Sequence, residues 1–332
     1  MKKIVTLLIM LFTVCLSGVS SATAATEEAR ELASWNEGPS RRAIVDFVKT
    51  VTDSKNKDFI PVEKRIAVFD NDGTLWCEKP VYPQFIFAID RVKTVIEERP
   101  ELKEEAVFQA ALKGDYDSLA KSGAGGIQRL IGATHGGMTA DSFDKIVSDW
   151  MKSARHPRFK QPFNKCVYKP MLELLDYLRA NGFRTFIVSG GGRDFMRPWT
   201  KATYGVDAEE VAGSSCHLEY KNGDVYRTEK IDFLNDGKEK PVGICRQIGA
   251  RPVAAFGNSD GDFEMLEWTK SGAGNGKSLC MLVHHTDAER EYAYDRDSKV
   301  GHLERGLDSA AEAGWVIIDM QKDWSRVFSF EK

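Results

Sequence analysis

An α/β fold with a parallel sheet and a helical insertion is predicted by two observations. The first is a set of short apolar runs, IAVF at 66–69, FRTFIV at 183–188 and PVAAF at 252–256. Such runs mark strands buried on both faces. Each ends abruptly: at Asp70-Asn71-Asp72-Gly73-Thr74, at Ser189-Gly190-Gly191-Gly192, and at Gly257-Asn258-Ser259-Asp260-Gly261-Asp262. Ligands of open α/β sheets collect beyond the carboxyl ends of the strands, so these ends define one candidate active edge. The second observation is a long stretch between the first two runs that carries helical pattern and no good strand candidate.

In chain order, Lys2 and Lys3 precede an apolar run from Ile4 to Leu16, and small residues lead to Ala22-Thr23-Ala24-Ala25. This is the layout of a secretory signal peptide over 1–25, and the run is too short for a comfortable membrane span. The mature protein is expected to be exported, to the periplasm or beyond, without a stable membrane anchor. A short helix is expected over 26–35, then a helix from an N-cap at Ser40 to Thr52. The insertion, placed at 81–165, is read as helices over 84–98, 101–113, 116–121, 126–131 and 139–152, the last capped by Thr139. The core is assigned to 26–80 and 166–332. Pro170 opens a helix to Ala180, Asn222-Gly223 signals a hairpin, and helices are expected over 241–248 and 263–269, the latter capped by Asp260. Further strands are expected over 278–283 and 314–319.

The 332-residue chain is 42% hydrophobic and 29% charged, with 46 Lys and Arg against 49 Asp and Glu. That balance is ordinary for a globular protein and offers no excess for nucleic acid. Beyond Cys15, Cys77, Cys166, Cys216, Cys245 and Cys280 are an odd, scattered set; they form no disulfide framework, leave room for one bridge, and show no zinc spacing.

The chemistry starts at Asp70 and Asp72. Two residues apart in extended backbone, they can lean the same way. One carboxylate can attack an electrophile such as phosphorus and carry it as an acyl-phosphate. The other can give a proton to the leaving oxygen and later take one from water. Both repel a phosphate dianion, which implies a hard cation, most simply Mg²⁺. The same DNDG is also an ordinary Asx turn, so the reading needs support elsewhere. Ser189 and the N–H groups of Gly190 and Gly191 suit phosphate oxygens, a lysine before the third strand can neutralise phosphoryl charge, and Asn258 and Asp262 offer oxygen to a cation. Arg193 and Arg197, after Ser189, and His135, in a loop within 132–137, are further candidates for the pocket.

Taken together, these motifs in this order resemble the haloacid dehalogenase-like hydrolase superfamily, near its phosphoserine-phosphatase-like branch, over 65–76 and 167–283. The resemblance implies a Rossmann-like core with a helical cap inserted after the first motif, and Mg²⁺-dependent hydrolysis of small phosphomonoesters. It makes Asp70 the nucleophile, Asp72 the general acid/base and donor of a backbone carbonyl to the metal, Ser189 a phosphate ligand, and Lys240, with Lys238 as its close alternative, the active-site lysine. Asp72 favours a phosphatase, since dehalogenases of this superfamily typically lack that acid. One departure stands out: many members carry Asp where this chain has Asn258. The lost charge leaves Asp262 to carry more of the metal's anchoring, and it keeps open a phosphate- or metabolite-binding protein without turnover. A phosphotransferase on the same scaffold is the other alternative.

Overall fold

The computed structural model describes residues 32–274 and 276–331. The signal peptide assigned to 1–25 and most of the helix expected over 26–35 lie outside them. The described end of that helix, 32–34, is a turn, and Trp35 bridges to Trp324. Helix α1 spans Pro39–Thr52, with Gly38 as N-cap. Pro39 therefore opens it, its ring pre-setting the first helical φ, and the expected cap Ser40 instead donates to Asp323 Oδ2 at 2.7 Å.

The sheet is centred on β1 (Ile66–Phe69), whose four residues are all buried. β1 pairs in parallel with β3 (Arg184–Gly192) on one side and β6 (Ala254–Gly257) on the other. Parallel pairing continues outward from β3 to β4 (Val211–Lys221), and from β6 through β7 (Leu279–Thr286) to β9 (Val316–Asp319). Short β8 (Ala293–Tyr294) pairs antiparallel with β7. The first strand in sequence thus lies between later ones, the topological switch point at which α/β sheets bind ligands. Alternation along β1 feeds two cores: Ala67 and Phe69 join one cluster, Ile66 and Val68 the other.

One expectation shifts here and one holds. β3 runs four residues past Val188, because Gly192 pairs with Ser214 of β4 across a register shift; the Ser-Gly-Gly-Gly segment is strand edge rather than loop. The hairpin at Asn222-Gly223, with φ of 55° and 91°, joins β4 to β5 (Asp224–Phe233). Residues 226–229 of β5, rather than the tip, meet the inserted segment.

Those helices are α2 (Pro83–Glu98), α3 (Ala106–Lys113), α4 (Tyr116–Lys121), α5 (Gly123–His135) and α6 (Ala140–Ser153). Thr139 caps α6 as expected, accepting from Ser142 N. The stretch divides by packing. α3, α4 and α5 close with Val92 and Val95 of α2 on a cluster of their own, whereas Phe143, Val147 and Met151 of α6 join the large core. Between α5 and α6, β2 (Met138–Thr139) adds to the antiparallel edge of β5. This joint needs glycine. A Cβ at Gly136 would sit 2.7 Å from Thr228 O, and one at Gly132 would sit 2.6 Å from Glu229 O. Gly136→Ala is therefore expected to cost about 1–3 kcal/mol by forcing backbone apart, while Gly125→Ala, with nothing within 4 Å, is expected to stabilise α5 by about 0.5–1 kcal/mol. Denaturant unfolding of both variants checks the sign of each.

Helices α7 (Lys169–Ala180), α8 (Arg193–Tyr204), α9 (Glu239–Gln247), α10 (Phe263–Gly272), α11 (Arg305–Ala313) and α12 (Met320–Asp323) complete the layers. Asp260 does not cap α10. Its carboxylate accepts from the N–H groups of Glu304, Arg305 and Gly306, at the start of α11, where the helix dipole favours an anion. Among the described residues no helix is long and apolar enough to cross a membrane, and Cys77, Cys166, Cys216, Cys245 and Cys280 are free thiols.

Candidate active site

Strand geometry brings the motif residues to one edge. Asp70 follows β1 directly, its N–H held by Phe256 O of β6 at 2.9 Å. Lys240, on α9, is buried and extends its ammonium between two carboxylates, 2.7 Å from Asp70 Oδ1 and 2.5 Å from Asp262 Oδ1. Lys238 is exposed, so Lys240 is the lysine that reaches the site. Burial opposes its charge, but Asp262 and Asp70 outweigh that and hold its pKa above the usual lysine value. Burial and the Asp262 charge push the Asp70 carboxyl well up, and Lys240 only partly offsets them. Burial also raises Asp72, against a hydrogen bond from Trp76 Nε1 to its Oδ1 at 2.9 Å. A raised carboxyl is the state suited to proton donation.

Asp262 faces inward. Its Oδ1 meets Lys240, and its Oδ2 accepts from Asn258 N, Ser259 N and Ser259 Oγ at 3.0, 3.1 and 3.2 Å. With both oxygens engaged, it orients the lysine instead of offering a free atom to a cation. Ser189 is buried, its Oγ accepts from Gly191 N at 3.0 Å, and its hydroxyl side chain also hydrogen-bonds Asp72, where it favours the charged form. Asn235 Nδ2 fixes the same residue by donating to Ser189 O at 3.0 Å. Gly190, Gly191 and Gly192 line the cavity with it, but the Gly192 N–H is taken by Gln84 Oε1 at 2.7 Å.

A cavity of ≈ 470 Å³ opens over this edge. Asp70, Asp72 and Ser189 line it from the strand ends, Lys240 from α9, Phe85, Ile127 and Ile131 from the inserted helices, and Ile231 from β5. Arg193 does not line it; the guanidinium lies 3.5 Å from the neighbouring Asp194. Arg197 likewise turns to Asp194 and to Ala208 O. His135 does reach the cavity, as the last residue of α5 rather than in a loop. Burial, with Arg227 and Arg91 nearby, pushes it down to about 3, so it is neutral. Gln84 Nε2 lies 3.2 Å from His135 Nε2, and this pair ties the helices to the glycine strand end.

Gln84, Asn235 and Glu78 carry no local sequence signal. Glu78 is the largest omission. It is buried beneath the first motif yet lines the cavity, and burial pushes its carboxyl up to about 7.

The fit to a divalent cation follows from charge. Asp70 and Asp262 bind the ammonium of Lys240, Asp72 feels its charge, and Glu78 adds a further carboxyl to the same cavity, so acidic groups outnumber this one cation. Among the described residues no cluster of three His, Cys, Asp or Glu side chains forms a ready cage. Mg²⁺ does not require one, since it keeps several waters and uses one or two carboxylates plus substrate phosphate. The residues present fit that mixed donor set.

Comparison with known proteins identifies the family. A family model described as haloacid dehalogenase-like hydrolase matches residues 67–267. No curated protein matches the chain. Solved structures that resemble it include a protein of unknown function from Anaerococcus prevotii, with 17% identity, TM-score 0.49, and coverage of 74% of this chain and 86% of that one. Another, of unknown function from Bordetella pertussis, shows 15% identity, TM-score 0.47, and coverage of 77% and 99%. A phosphoserine phosphohydrolase-like protein from Francisella tularensis shows 17% identity, TM-score 0.38, and coverage of 75% and 98%. These overlaps are too loose to add weight; the family match over most of the chain is decisive. The chain belongs to the haloacid dehalogenase-like hydrolases.

Proposed function

We propose that the protein is an exported phosphatase that hydrolyses small phosphomonoesters through an aspartyl-phosphate on Asp70. The observation that carries this reading is the buried Asp70–Lys240–Asp262 arrangement at the switch point, with Asp72 and Ser189 facing the same cavity. An Asp70 oxygen attacks phosphorus while the bond to the ester oxygen breaks, and Asp72 gives that oxygen its proton. Asp72 then takes a proton from water, whose oxygen attacks the same phosphorus and releases phosphate, returning Asp70. Ser189 donates to a phosphoryl oxygen, and Lys240 offsets the charge on Asp70 and the phosphoryl group.

Asp70 and the Asp72 backbone carbonyl would hold Mg²⁺, which when bound supplies the positive charge that lets a phosphate dianion approach these carboxylates. The helices over the cavity favour a small ester whose organic group packs against Phe85, Ile127 and Ile131. The test is hydrolysis of p-nitrophenyl phosphate by the mature protein, with Mg²⁺ and with chelator. Turnover that requires Mg²⁺ supports the reading. No turnover, together with tight binding of inorganic phosphate, overturns it in favour of a binding protein.

A further inference from the structure

Position 258 holds an amide where a carboxylate would add charge to the cation end of the site. The structure shows what that amide does. Asn258 Nδ2 donates to Glu78 Oε1 at 2.8 Å, while its Oδ1 accepts from Thr74 Oγ1 at 3.1 Å. An aspartate at 258 has no hydrogen to give and would set two anions at hydrogen-bond distance. Asn258 itself does not line the cavity, whereas Glu78 does, together with Asp70 and Asp72.

Glu78 is held deliberately. Tyr294 OH donates to the same Oε1 at 2.8 Å. The backbone makes room for the carboxylate with two glycines in the left-handed region: a Cβ at Gly73 (φ 73°) would lie 2.4 Å from Glu78 Oε1, and one at Gly301 (φ 68°) would lie 2.0 Å away. Glu78 is only 1% exposed and belongs to none of the ion pairs among the described residues; His285 and Lys79 act on it electrostatically, but His285 does not offset its burial. A carboxylate taken so far from water is costly unless a cation meets it.

We infer that the cation-facing negative charge of this site has moved from position 258 to Glu78, with Asn258 as the positioning residue that holds the Glu78 carboxylate toward the cavity. The inference rests on the divalent-cation reading given above. It also removes the apparent defect at Asn258: the charge is displaced rather than lost.

The test is Mn²⁺ binding, followed by electron paramagnetic resonance on substrate-free protein, for wild type, Glu78→Gln, Asn258→Asp and the double variant. Loss of the Glu78 charge is expected to weaken Mn²⁺ binding about 10–100-fold, the range found when groups around a metal site are removed. Asn258→Asp in the Glu78→Gln background is expected to recover most of that loss. There the amide introduced at position 78 can donate to the carboxylate introduced at position 258, and the charge returns to 258. A merely structural Glu78 would not be rescued in this way. An unchanged Mn²⁺ affinity in Glu78→Gln, or a double variant no tighter than Glu78→Gln, overturns the inference and leaves the phosphatase reading standing. Wild type that binds no Mn²⁺ overturns both. Should Glu78→Gln not fold, Asn258→Asp alone decides. Without metal it is expected to unfold at a lower temperature than wild type, and to gain more from added Mn²⁺. Equal metal-free stability would overturn the inference.

Discussion

Asp70→Asn is expected to lower kcat for aryl phosphate hydrolysis on the order of 10⁴-fold or more, while the protein stays folded. Without the nucleophile, binding and charge stabilisation alone remain, and groups that act as one catalytic unit lose most of their effect together. Acid-quenched wild type under turnover should carry a phosphoryl group on the peptide containing Asp70, and the variant should carry none. Stability should move the other way. Burial and Asp262 raise the folded-state pKa of Asp70 above its ordinary value. A carboxyl raised by folding costs stability as the pH rises above its unfolded value, and the cost is complete above its folded one. Replacing the carboxyl by an amide at neutral pH, above its unfolded value, is therefore expected to leave the metal-free unfolding temperature equal or higher, the exchange of stability for activity usual at active sites. A metal-free variant that unfolds well below wild type would show that Asp70 is structural, and retained turnover would remove it from the mechanism.

Lys240→Met has the largest expected effect on stability, about 3–5 kcal/mol, because it leaves Asp70 and Asp262 buried without their cation. The geometry behind this is specific: the ammonium is 2% exposed and touches both carboxylates at 2.7 and 2.5 Å. Lys238→Met, on the exposed neighbour, should change stability by no more than about 0.5 kcal/mol. The loss at Lys240 should also depend on pH with a defined sign. Unpaired buried carboxylates take up protons more readily in the folded state than in the unfolded one, so the deficit should shrink as pH falls through their raised values. Chemical denaturation of both variants at neutral and mildly acidic pH measures this. A deficit that is small, or that grows toward acid, would mean that Lys240 does not hold the two carboxylates together.

Much of the site was legible in the sequence because its parts are local. A buried parallel strand shows itself as an apolar run, and its carboxyl end is where a ligand must sit, so Asp70, Asp72, Ser189 and the 257–262 loop could be placed on one edge from one dimension of information. Lys240 was legible to within two residues; helical phase alone does not tell which of two nearby lysines turns inward, and only packing of α9 against the sheet did so. Asp262 and Asn258 were readable as polar groups at a strand end, but not by direction. Whether an oxygen faces a cation or a lysine depends on the turn that Ser259 closes over Asp262. Glu78, Gln84 and Asn235 had no periodicity, spacing or neighbouring motif to announce them. Their partners Asn258, Gly192 and Ser189 lie 180, 108 and 46 residues away, and a contact of that kind is created by the fold itself. By itself, then, the sequence determined the sheet and the edge at which its polar residues gather. Tertiary structure alone decided which carboxylates face the cavity and which face the lysine, since that depends on where the surrounding donors converge.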